Sequence, residues 1–160
     1  MADQKKRLDS NVVGNFYVDA TCINCDTCRQ LASTSFEEVG GFSAVTQQPT
    51  DEGHMHQAYQ ALLACPVGSI GTEHSDKLRM QDAMASFPLH LEGGVSYCGF
   101  NAEKSFGANS FFIEHPDGNW LVDSPRYIKH LVEMFEQKGG IAYIFLTHKD
   151  DVADAEKYAA

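Results

Sequence analysis

Basic residues are scarce in this chain: 12 Lys and Arg stand against 22 Asp and Glu, a formal net charge of −10. A surface of that sign repels a phosphate backbone, so nucleic acid is not an expected partner, whereas a basic protein surface is. Long apolar runs are missing as well. None approaches the ~20 residues that a bilayer-spanning helix needs. The opening Met1-Ala2-Asp3-Gln4-Lys5-Lys6-Arg7 leads into the polar Asp9-Ser10-Asn11 rather than an apolar signal core. No membrane insertion and a cytoplasmic location are therefore expected. There is no internal repeat, and 160 residues that are 43% hydrophobic leave room for one domain or two small ones.

Cysteine is present in an uneven pattern. Cys22-Ile23-Asn24-Cys25-Asp26-Thr27-Cys28 puts three thiols at two-residue gaps, and Cys65-Pro66 supplies a fourth much later. Four thiolates complete one coordination set, and gaps of two let a single loop wrap a metal group while a distant segment closes it. A zinc knuckle and plain buried cysteines are the alternatives. Zinc ribbons normally use two Cys-x-x-Cys pairs, which this chain lacks, and a disulfide framework is unusual in a reducing compartment. Cys98 has no partner thiol and reads as a small buried residue.

A change in composition divides the chain into an extension over 1–14, a first domain over 15–73, a linker or short exposed helix over 74–93, and a β-rich region over 94–160. In the first domain, Phe16-Tyr17-Val18 reads as a strand delivering the cysteine loop, and Gly40-Gly41 leads into an extended run from Phe42 to Thr46. Pro49-Thr50-Asp51-Glu52 opens a helix whose Met55, Tyr59, Leu62 and Leu63 recur at helical spacing and which carries Cys65 at its end. His54 and His56 read as exposed residues of that helix's start. Phe16, Phe36 and Phe42 read as core and shielding.

With these motifs, residues 15–73 resemble the single-cluster, bacterial-type ferredoxins. The resemblance extends from Val18-Asp19 ahead of the triplet to Cys65-Pro66-Val67-Gly68-Ser69-Ile70. It implies a small α+β fold, a low-potential one-electron carrier, a redox protein as partner, and Cys22, Cys25, Cys28 and Cys65 as ligands of the cluster iron. One cluster is implied, since Arg29-Gln30-Leu31-Ala32 replaces the thiol and proline of two-cluster relatives. Cys25 at the middle position, where three-iron members carry Asp, implies a 4Fe-4S cluster, with no zinc expected.

Beyond it, strands are predicted at Val95 to Phe100, Asn109 to Glu114 and Trp120 to Asp123. A helix opened by Pro125 follows, with Ile128, Leu131, Val132 and Phe135 on one face and Gly139-Gly140 at its end, and Ile141 to Leu146 reads as a buried strand. The order leading to Asp123 and then Thr147-His148 resembles the opening of the metallo-β-lactamase fold. Its metal motif fails afterwards: Asp150, Val152 and Ala153 stand where His, Asp and His are expected. Asp150, Asp151 and Asp154 offer oxygen ligands, yet the resemblance implies no complete hydrolytic site in this chain. Fusions of this build occur in photosynthetic lineages, which makes the plastid stroma an alternative location.

The fold class expected is thus α+β, a small ferredoxin-like domain followed by a partial metallo-β-lactamase-like α/β region. The function expected is electron transfer, with no catalytic residues and the second region serving docking, homodimerisation or intramolecular packing. The alternative is the N-terminal part of a metal-dependent hydrolase or oxidoreductase carrying a ferredoxin domain.

Overall fold

The computed structural model describes residues 2–159, a mixed α+β chain that divides into two compact units, Met1–Ala85 and Ser86–Ala160.

In the first unit, β1 (Phe16–Val18) pairs antiparallel with β4 (Ile70–Thr72), and β2 (Phe36–Val39) pairs with β3 (Phe42–Val45). The second pair turns on Gly40 and Gly41, at φ of 62° and 82°. Two consecutive left-handed residues make the hairpin turn that suits the twist of the strands. Two side chains do the work of missing strands. The amide of Gln48 pairs with Phe16 N and Phe16 O, and Asn11 Oδ1 accepts from both Val18 N and Val45 N. Backbone groups of a short, buried strand are satisfied in this way without a wider sheet. Asn11 lies in the 1–14 segment, so that segment is tied into the unit.

Between the strands run α1 (Thr27–Leu31) and α2 (Glu52–Ala64). Asp51 caps α2 by accepting from His54 N at 2.9 Å, and the helix ends at Cys65, ahead of Pro66, because a residue before proline is disfavoured in the helical region. Tyr59 is buried as its spacing predicts and meets Phe16 edge-on at 5.1 Å, while Met55, Leu62 and Leu63 are only partly buried. The tightest packing falls to Ala58, Ala61 and Ala64. Within the segment 74–93, α3 (Lys77–Ala85) buries Ala83 and its Arg79 makes a bidentate ion pair with Glu52 of α2. The same segment also contains β5 (Leu89–Glu92).

The second unit is a five-stranded sheet in the order β5-β6-β7-β8-β9, with β6 at Val95–Tyr97, β7 at Phe111–Ile113, β8 at Trp120–Val122 and β9 at Tyr143–Phe145. All neighbours are antiparallel except β8 and β9, which run parallel across α4 (Lys129–Gln137). Leu131 and Phe135 of α4 are buried, and the Phe135 ring stacks on Phe112 at 4.6 Å, so α4 covers the sheet face that carries Phe112 and Leu121. The run from Ile141 to Leu146 departs from the expected buried strand. As the edge of this sheet it leaves Tyr143 46% and Phe145 54% exposed. A final short helix, α5 (Ala155–Tyr158), follows.

Candidate metal centre

Four thiols meet at one pocket in the first unit, lined by Cys22, Cys25, Cys28 and Cys65 together with apolar Val18, Ile23, Val67 and Ile70. Each arrives by its own route. The loop after β1 is anchored by buried Asp19, whose carboxylate accepts from Asp3 N, Thr21 N and Thr21 Oγ1. Burial alone would raise the Asp19 pKa, but these hydrogen bonds outweigh it and hold the group below the usual carboxylate range. Asn24 and Asp26 then adopt left-handed backbone angles, φ 55° and 70°, which bend the chain between the thiols. Cys28 sits in α1, and Cys65 is delivered by the C-terminus of α2, where Gly68 (φ 65°) turns the chain back toward β4.

The sulfurs are dressed by polar hydrogen. Cys22 Sγ accepts from Asn24 N and from Ser43 N, each at 3.4 Å. Cys25 and Cys65 lie 3.4 Å from the hydroxyls of Thr27 and Ser69. Cys28 and Cys65 are buried, and Cys22 and Cys25 are half-buried. Burial pushes the Cys28 thiol up to about 12; the Ser43 hydroxyl works against this, and Cys65, Cys22 and Cys25 add to it. A cavity that penalises a free thiolate this strongly suits thiolates shared with a cation.

Residue spacing alone does not point to Arg29. Its side chain, 18% exposed, bonds Asp26 Oδ1 through Nε, and Asn24 Oδ1 and Ser43 Oγ through Nη1, all at 2.6 Å. The available signal was its place directly after the third thiol.

The remaining candidates lie elsewhere. His54 pairs with Asp51 at 2.6 Å and His56 with Asp82 at 3.1 Å, neither lining the thiol cavity. Phe16 and Phe36 are fully buried core, and Phe42 is partly buried. In the second unit Cys98 is buried, and burial raises its thiol pKa. His148 is exposed beside Asp150, 3.5 Å away. Asp154 is engaged by Tyr127 N and Lys157 instead. Asp123, left-handed at φ 54° and buried, accepts from both Thr147 N and Thr147 Oγ1 at 2.8 Å. Among the described residues no group of three or more His, Cys, Asp or Glu is drawn together as a single-ion site. Nor, among them, is any helix long and apolar enough to cross a membrane.

Residues 18–72 match the family of the 4Fe-4S single cluster domain of Ferredoxin I. The first unit therefore carries a ferredoxin-type domain of the single-cluster class, for which a 4Fe-4S cluster is implied. No curated protein and no solved structure matches the chain.

Proposed function

We propose that this protein is a one-electron carrier whose single 4Fe-4S cluster is held by Cys22, Cys25, Cys28 and Cys65. The observation that carries the reading is that these four thiols, three from the cysteine loop and the start of α1 and one from the end of α2, line one pocket. Such a cluster spreads its four ligands over four irons, which agrees with thiols placed around a volume and not drawn together on one ion. When bound, the cluster supplies reversible one-electron exchange. The residues of the chain do the rest. Asn24 N and Ser43 N direct their hydrogens at the Cys22 sulfur, and Cys28 and Cys65 keep water from the inner side. The outer side, at half-buried Cys22 and Cys25 with Ile23 42% exposed between them, is where a redox protein partner would approach. Anaerobic purification, iron and sulfide analysis and an electron paramagnetic resonance spectrum after dithionite reduction test this. Four irons, four sulfides and a reducible signal are expected; iron content unchanged by each of four separate Cys→Ala substitutions would overturn it.

A second reading, favoured by the Asp123 bracket on Thr147 and by the parallel β8-α4-β9 unit, is that Ser86–Ala160 is a metallo-β-lactamase-like scaffold. Its role would be docking or self-association, since His148 and the nearby carboxylates are not gathered. Hydrolysis of β-lactam, thioester or phosphodiester in added zinc is expected to be absent. Turnover abolished by His148→Ala would instead favour the front end of a metallo-hydrolase.

A further inference from the structure

One guanidinium nitrogen, Arg29 Nη1, bonds the side chains of Asn24 and Ser43, and these are the two residues whose backbone N–H groups donate to Cys22 Sγ. Those residues come from different segments, the cysteine loop and β3, so the two donors converge on one sulfur only if something fixes both. We propose that Arg29 is a positioning residue that holds these two amides on the Cys22 sulfur and thereby raises the reduction potential of the cluster. The inference rests on the reading of Cys22 as a ligand.

Three features give it weight. First, Asn24 and Asp26 both hold left-handed backbone angles, which set the path of the loop between the thiols. Arg29 bonds both, Asn24 through Nη1 and Asp26 through Nε. Second, the task needs a planar fork. Lys presents a point charge on a flexible stem and cannot span these acceptors with the same fixed geometry. Third, Asp26 sits against Arg29 at 2.6 Å, so much of the positive charge is balanced locally. The influence on the cluster then runs mainly through the amide hydrogens. An N–H donor aimed at a ligand sulfur stabilises the extra negative charge of the reduced state, and hydrogen bonds to the sulfurs are among the levers that set cluster potential.

The test is a spectroscopic redox titration of the full chain, cluster-loaded, as wild type, Arg29→Lys and Arg29→Gln, with iron and sulfide measured for each. Both variants are expected to shift to more negative potential, with the ratio of reduced to oxidised protein at a fixed ambient potential falling about tenfold, which is about 59 mV for one electron. Recovery of the wild-type potential by Arg29→Lys would overturn positioning in favour of charge alone, and no shift in either loaded variant would overturn the inference outright. If neither takes up iron, Asn24→Gly serves, because it keeps the left-handed backbone and removes only the acceptor for Nη1. A smaller negative shift is expected there; an unchanged potential, or failure of this variant also to load, overturns the tuning role. A wild type without iron and sulfide would instead sink the cluster reading itself.

Discussion

The two units solve the problem of burying short strands in opposite ways. Met1–Ala85 has only two-stranded sheets, yet Phe16, Val18, Phe36, Val45 and Tyr59 are almost fully buried and pack beside the thiol cavity. Ser86–Ala160 has a broader, five-stranded sheet, yet Trp120, Tyr143, Phe145 and Leu146 remain exposed on β8, β9 and the residue after β9. Isolated two-stranded sheets are marginal in water. Side-chain amides satisfy the strands of the first unit, while α4 covers one face of the second unit's sheet.

Removing iron, or substituting Cys28→Ala, should abolish the visible absorption of the holo-protein and release amide protection along α2 near Cys65, since cysteine loop and helix would lose their common anchor. Amides of Phe112 and Leu121 should keep theirs. Hydrogen exchange followed by mass spectrometry reads both units in one sample. Equal protection around Cys65 in apo- and holo-protein would show that the first unit stands without its metal.

The converse perturbation is Phe135→Ala. It removes the ring stacked on Phe112 at 4.6 Å and should destabilise the second unit by about 3–5 kcal/mol, the usual cost of truncating a buried Phe. Denaturant melts followed by Trp120, the one tryptophan of the chain, report this unit directly. The visible spectrum of the first unit should be unchanged. A loss of both signals together would mean that the units do not unfold separately.

These experiments also bear on what the sequence could disclose. The grouping of the four cysteines, β1, β3, α2 and the order β8-α4-β9 are legible because thiol spacing, a Gly-Gly turn, a capping Asp and helical periodicity are local signals, but α4 begins at Lys129, with Ile128 still extended, and not at Pro125. β2 and β4 were not named, since each takes its register from a partner: Phe36 lies opposite Val45, and Ile70 opposite Val18. The polar text of 74–93 suggested a linker or exposed helix and hid β5, whose alternation is brief and whose place depends on β6. Arg29 was invisible as a site residue because nothing in spacing says where a guanidinium folds back. Conversely, Ile141 to Leu146 reads as buried although it is an edge, because apolarity records a preference for cover and not its source.

A smaller effect sharpens this last point. Phe145→Lys places a charge on the exposed edge strand, a substitution by which natural sheets discourage edge pairing. Thermal stability of the second unit should change little, within about 0.5 kcal/mol as is usual for surface sites. Binding of an apolar dye and the mass measured by light scattering should both fall if this surface self-associates. Identical values for wild type and variant would remove β9 from any association.

A pH dependence of the second unit is expected from Asp154. The Asp154 carboxylate accepts from Tyr127 N at 3.0 Å and pairs with Lys157 at 2.9 Å; these partners, the backbone bond first, hold its pKa below the ordinary range. A group whose pKa is lower in the folded than in the unfolded chain favours folding when ionised. Its contribution is therefore complete at neutral pH, begins to fade as pH falls through the unfolded value of about 3.9, and is gone once the folded group is itself protonated. Replacing it by Asn removes the charge and should cost roughly 1 kcal/mol or less at pH 7, because the pair lies near the surface. The gap between wild type and Asp154→Asn, read by Trp120 fluorescence in denaturant, should narrow as the pH falls below the unfolded value of about 3.9. Visible absorption cannot substitute as the readout, since Asp19 in the first unit has a pKa displaced in the same direction and acid would act there too. A gap that stays constant from pH 7 to 3 would show that Asp154 works through its shape and hydrogen bonds alone, and would remove its charge from the account of how α5 is held.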